Sequence, residues 1–136
     1  MVEEHGLTGF EGFDPVEVAR VIVKRRQRFR GRIPGCYHVT VVRSEAAVDQ
    51  VRSGVEWEEG AVVCPVCRQA NNLRRWQRVI LEEGTWTGED IFHARPLSAC
   101  ITSERFKDVC ETYRIANAVL IPAEEYGHDF YPWERG

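Results

Sequence analysis

No stretch of the chain reaches the roughly 18 consecutive apolar residues that a membrane-spanning helix requires, so nothing in it predicts a helix across a bilayer. The opening Met1-Val2-Glu3-Glu4-His5 has neither a basic region nor an apolar one, and no export signal is expected from it. There is no low-complexity segment, no domain linker, no phosphate-cradling glycine loop, no nucleophile elbow and no His-Glu-x-x-His. A second Cys-x-x-Cys, which would make a zinc pattern strong, is also missing. The cysteines are odd in number: Cys36, Cys64, Cys67, Cys100 and Cys110. In a chain without an export signal this favours a reduced compartment, the cytoplasm, and metal-bound or buried thiols over a disulfide framework.

What is present suits one domain. The chain has 136 residues, and domains of roughly 150 residues bury most of the surface their unfolded chains expose, which makes a metal helpful but not obligatory. A composition of 43% hydrophobic and 29% charged residues is ordinary for a globular protein. The net charge of -3 argues against general nucleic-acid binding, yet the charge is unevenly laid out. Arg20, Lys24, Arg25, Arg26, Arg28, Arg30 and Arg32 crowd one segment, while Glu124, Glu125, Asp129 and Glu134 mark the C-terminus. These read as solvated faces that attract each other, with a basic docking surface as the sharper alternative.

Along the chain, Met1 to His5 reads as the tail of a helix with Gly6 at its end, followed by a short strand through Leu7, Gly9 and Phe10. Ser103 to Tyr113 reads as a fuller, capped copy of that helix and Ile115 to Pro122 as its strand. Aligning Leu7 with Ile115 sets Glu3 against Glu111 and His5 against Tyr113, a weak helix-turn-strand repeat whose first copy begins late, over residues 1–13. Asp14-Pro15-Val16-Glu17 has the chemistry of a helix start, and the helix is expected to run to about Gln27. Tyr37 to Arg43, with its β-branched residues, reads as a strand, and Ser44 to Arg52 as a short helix ended by Gly54. Val55 to Glu59 is a strand or loop, and Arg74 to Leu81 a strand with a helix as its alternative. Strands are expected around Ile91 and Phe92 and from Leu97 to Ile101, and residues 123–136 form an aromatic and acidic tail pinned to the body.

The stretch with specific chemistry is Ala61-Val62-Val63-Cys64-Pro65-Val66-Cys67-Arg68. Two thiolates at this spacing can point at one tetrahedral metal ion or close as a redox pair. Structural zinc needs two further ligands at about 2.0 to 2.3 Å, most often Cys or His. Cys36 and His38 offer them, because alternate residues of a strand project to one face; Cys100 and His93, on later strands, are competitors. Against both stands the plainer reading that Cys36, Cys100 and Cys110 are small buried hydrophobes. In the redox reading a strand would feed the turn and a helix N-terminus would favour the thiolate. Arg68-Gln69-Ala70-Asn71-Asn72 begins poorly as a helix.

Elsewhere the signals are bland. Glu124-Glu125 and Glu89-Asp90 are adjacent carboxylates, which on a strand point to opposite faces, so surface polarity explains them better than an acid/base dyad. His5 and His128 read as exposed or turn histidines. Lys24, Arg25, Arg28 and Arg30, with Phe29 interleaved, are the candidate partner-binding residues: they suit phosphates and a stacked base, or simply complement a helix C-terminus.

Three pieces carry a family resemblance: Cys64-Pro65-Val66-Cys67-Arg68, then Gly84-Thr85-Trp86-Thr87-Gly88-Glu89-Asp90-Ile91-Phe92, then Ile101-Thr102-Ser103-Glu104-Arg105-Phe106 with the closing helix-strand unit. Together they resemble the bacterial double-CXXCG motif family, whose members are associated with immunity to toxins exchanged between neighbouring myxobacterial cells. The similarity covers mainly residues 60–122. It implies Cys64 and Cys67 as metal ligands, Trp86 to Phe92 as a structural signature, a cognate protein toxin as partner and no enzymatic activity. The chain departs from the pattern in having one motif instead of two, with Arg68 where glycine is expected; Cys36 and His38 stand in for the missing pair, or the site is incomplete. The expectation is therefore a single α+β domain over residues 1–136. It has a mainly antiparallel sheet, about three short helices and a zinc-knuckle-like turn, and it binds a toxin in the cytoplasm. The alternatives are a zinc-stapled module that binds nucleic acid through residues 24–32, and a thiol redox protein.

Overall fold

The computed structural model describes residues 1–21, 31–33, 35–70, 72–116 and 118–135. Among the described residues eight strands run in chain order: β1 (Phe10–Val16), β2 (Cys36–Val41), β3 (Arg43–Ala47), β4 (Glu56–Trp57), β5 (Leu73–Trp76), β6 (Ile91–Arg95), β7 (Cys100–Thr102) and β8 (His128–Asp129), with helix α1 (Glu104–Thr112) between β7 and β8. They form a β1-β2 ribbon, a β3-β6-β7 sheet and a β4-β5-β8 sheet, antiparallel except for the β3 and β6 pair. The fold is α+β and rich in sheet, as expected, but the described residues hold one α-helix where about three were expected.

Two expected helices begin as strands instead. Ser44 to Arg52 has helix-forming residues and a capping serine, yet Arg43–Ala47 runs parallel to β6, and Ala46, Ala47 and Val48 are fully buried. Along β3 buried Ser44 and Ala46 alternate with exposed Arg43 and Glu45, the period of a strand with one covered face, and tertiary burial outweighs propensities of a few tenths of a kcal/mol per residue. Asp14, Pro15 and Val16 pair with His38, Tyr37 and Cys36 across the ribbon. Pro15 lacks an N–H, which a ribbon strand with an open edge tolerates. The remainder of that expected helix, from residue 22 onward, falls outside the described residues.

Met1 to Gly6 is a hydrogen-bonded turn, and it closes as α1 does. Gly6 N–H donates to Glu3 O at 3.1 Å and Leu7 N–H to Val2 O at 3.0 Å; Arg114 N–H donates to Glu111 O and Ile115 N–H to Cys110 O, both at 3.0 Å. This is the Schellman pattern, with Gly6 and Arg114 both left-handed at φ of 57° and 52°. The two turns thus close alike, and two residues that the expected repeat aligns meet: His5 Nε2 lies 3.1 Å from the Tyr113 hydroxyl. The strands expected after each turn differ. Leu7 leads into β1 only at Phe10, and among the described residues of Ile115 to Pro122 there is no strand.

The core is Ala46, Val48, Trp76, Val79, Phe92, Ala94 and Leu97, drawn from β3, β5, β6 and the segments after them. Phe92, at 1% exposure, contributes about 1.5 to 3 kcal/mol by burial alone. Along β6, buried Phe92 and Ala94 alternate with half-buried Ile91, His93 and Arg95, so the latter three share the sheet's outer face. Ser103 caps α1 by accepting from Phe106 N–H, as expected from its sequence.

Candidate metal centre

Cys64 to Gln69 forms a closed knuckle. Cys64 N–H donates to Gln69 O at 2.8 Å and Arg68 N–H to Cys64 O at 2.9 Å. Arg68 sits at φ 59°, the left-handed region that favours glycine. Pro65 has no N–H, so the inward-pointing donors begin at Val66. The backbone N–H groups of Cys67 and Val66, then the Cys67 thiol, then Arg68 N–H, act on the Cys64 sulfur. They hold its pKa below the ordinary thiol value against a desolvation that raises it. A sulfur in such a nest is prepared to carry negative charge, the condition for binding a metal.

Three polar contacts fasten the base of the knuckle to the body. Arg95 Nη1 donates to Val66 O at 3.2 Å, Gln69 Nε2 donates to Pro96 O at 3.3 Å, and Arg68 pairs with Glu82. Arg95 also pairs with Glu45 of β3. The knuckle is therefore fastened where β6 ends, at Arg95 and Pro96, and to Glu82, while Val62 and Val66 reach solvent, 86% and 73% exposed.

Of the residues expected to hold zinc, the structure brings Cys64 and Cys67 together and leaves Cys36 and His38 apart, on the exposed β1-β2 ribbon opposite Val16 and Asp14. Among the described residues no three His, Cys, Asp or Glu side chains lie close enough to hold an ion as they stand. Of the cysteines read as buried hydrophobes, Cys110 is buried, whereas Cys36 and Cys100 are exposed residues. Lys24, Arg25, Arg28 and Arg30 fall outside the described residues. So does Asn71, and among its described neighbours no helix follows the knuckle of the kind a thioredoxin-like thiol would use.

Cys100 and His93, the competing ligands expected on later strands, oppose each other across β6 and β7, with Cys100 Sγ 3.7 Å from His93 Nε2. One group was missed: Asp90, whose carboxylate was read as surface polarity and is 3% exposed. It accepts from Thr8 N–H at 2.9 Å, Thr8 Oγ1 at 3.2 Å, Ser103 Oγ at 2.7 Å and Arg105 Nη1 at 2.9 Å. Burial works to raise its pKa; the hydrogen bonds from Thr8 and Ser103 and the Arg105 charge outweigh it and leave the carboxyl below its usual value. Asp90 thus ties the N-terminal segment and the α1 cap to β6. Trp86 stacks on Phe92, and its indole donates to Glu89 O at 3.2 Å.

Elsewhere an open cleft of about 260 Å³ is lined by Glu56, Arg74, Arg75, Asp129 and Tyr131, with Arg75 already paired to Glu56. No helix among the described residues is long and apolar enough to cross a membrane. No family model matches the chain, and no curated protein or solved structure does either.

Proposed function

We propose that this chain is a non-catalytic, immunity-type protein of the cytoplasm that binds and neutralises a cognate bacterial protein toxin, its Cys64–Cys67 knuckle a zinc-stapled contact loop. The observation that carries the reading is the contrast at that loop: Arg95, Gln69 and Arg68 fasten it to the body, while the Val66 side chain, and Val62 just ahead of the turn, face water. Exposed apolar side chains beside an anchored loop mark a contact surface for another protein. The β1-β2 ribbon adds Phe13, Tyr37 and Val39, all exposed. That the partner is a toxin rests on the resemblance over residues 60–122. Where they fit, Cys64 and Cys67 supply two thiolates to the ion, whose part is to hold the loop closed. Uneven charge along the chain would speed the encounter more than it would tighten it.

The test is capture from the native host, with protection on co-expression beside a neighbouring toxin gene. The protein is expected to recover one toxin-like partner and to protect, and a Val62→Asp, Val66→Asp variant to lose both while melting as before. Neither capture nor protection by the unaltered protein would refute the proposal. The lowered Cys64 pKa also suits a redox thiol; turnover of a disulfide substrate by zinc-free protein would favour that reading instead.

A further inference from the structure

We infer that Ala118 to Ile121 is the strand of a two-fold interface between copies of this chain, pairing antiparallel with the same segment of a second copy. This surface is separate from the knuckle and independent of the toxin reading. Val119, Leu120 and Ile121 form an apolar run with two β-branched members, expected from the sequence to be a strand, yet the fold leaves it outside every sheet. The three residues are 86%, 38% and 51% exposed. The backbone N–H and C=O groups from Ala118 to Ile121 make no hydrogen bond among the described residues. Apolar side chains beside open backbone donors and acceptors are what an edge strand offers to another chain.

The segment suits its own copy. Ile121 precedes a proline, which biases it toward extended backbone, and Pro122 itself sits at φ -51° and ψ 134°. In an antiparallel pair, hydrogen-bonded and non-hydrogen-bonded positions alternate. Centring the pair on Leu120 as a non-hydrogen-bonded position sets Val119 against Ile121 of the second copy, where the two exchange backbone bonds. Pro122 then falls opposite Ala118 at a position that needs no N–H, so its missing donor costs nothing. The flanking charges fit the same arrangement. Arg114 precedes the segment and Glu124 and Glu125 follow it; all three are exposed, and none has an ion pair among the described residues. Antiparallel pairing brings the Arg114 end of each copy to the Glu124-Glu125 end of the other, whereas a parallel pair would gather like charges. So short a strand buries less than a standard interface, and the dimer is accordingly weak and formed only as concentration rises.

The experiment follows the full chain by sedimentation velocity over a wide concentration range, and by amide hydrogen exchange at its two ends. Reducing buffer excludes a disulfide between the exposed cysteines of two copies. A monomer passing to a dimer is expected, with the Val119 and Ile121 amides exchanging more slowly in the dimer. A Val119→Lys, Ile121→Lys variant sets like charges opposite each other and should weaken the dimer by about tenfold or more. Its monomer should melt as the parent's does, because both residues are exposed. Arg114→Glu should weaken the dimer by about fivefold, and the swap Arg114→Glu, Glu124→Arg, Glu125→Arg should restore it. The exchange reading uses the unaltered protein, so it stands even if a variant fails to fold. Four results would overturn the dimer: a monomer at every concentration, association indifferent to the two lysines, an assembly that grows beyond two copies, or slowed exchange at 118–121 that appears only when a different protein is bound.

Discussion

Asp90 and Cys64 are each the focus of several converging donors, and the difference between them separates what holds this protein together from what it offers outward. Asp90 is buried, and Thr8, Ser103 and Arg105 meet its carboxylate from three separate segments. Its bonding capacity is used within the chain. Cys64 is half-buried, and the donors to its sulfur come from its own turn, Cys67, Val66 and Arg68. A focus satisfied from three distant segments reads as structure. One whose donors are all local, beside a second thiol at Cys67, reads as a site for something added.

The comparison breaks first at Gly9, where the N-terminal segment crosses β6 beside Asp90. A Cβ there would lie 1.8 Å from Ile91 O, at a φ of 95°. Gly9→Ala should cost roughly 4 kcal/mol or more, seen as a large fall in the denaturant midpoint. Next is Asp90→Asn, which leaves Arg105 unpaired and turns an amide N–H toward donors; a loss of about 3 kcal/mol is expected. The acid limb sharpens this test. Because the folded Asp90 carboxyl sits below its usual value, its contribution is present above the unfolded value of about 3.9 and lost as pH falls through the folded one. The parent should therefore lose stability over that range more steeply than Asp90→Asn, and equal acid slopes would show that Asp90 is not the hub.

On the knuckle side the effects are smaller. Zinc at a hundred times its dissociation constant should add about 2.7 kcal/mol, and a chelator should remove that increment from the parent and from nothing in Cys64→Ser. A thermal melt with and without Zn²⁺ checks it. Smallest is Arg68→Gly. Relief of a left-handed backbone, about 1 to 2 kcal/mol, is offset by loss of a half-exposed pair with Glu82 worth up to about 1 kcal/mol. A net gain within about 1 kcal/mol is expected; a loss of several would mean that Arg68 anchors the knuckle far more strongly than its exposure suggests.

What was legible in the chain was what depends on neighbours in sequence. The Ser103 cap, the β-branched run of β2 and the closed turn at Cys64 are all local chemistry, and all are found where expected. The helix proposed for Ser44 to Arg52 failed because Ala46 and Ala47 carry no local sign that β6 lies beside them. The helix start at Asp14 gave way to pairing with His38 and Tyr37, more than twenty residues away. Asp90 looked like surface polarity because Thr8, its partner, is 82 residues distant.

By itself, then, the sequence determined the class of fold, the Ser103-capped helix and the pair of thiols on a rigid turn, because caps, β-branching and Cys-Pro-x-Cys spacing act within a few residues. Tertiary structure decided which carboxylate is buried, which segments became strands, and that His93 and Cys100 face each other across β6 and β7 while Cys36 and His38 lie on the β1-β2 ribbon. Those outcomes depend on burial and strand register, which bring together residues that the chain itself keeps tens of positions apart.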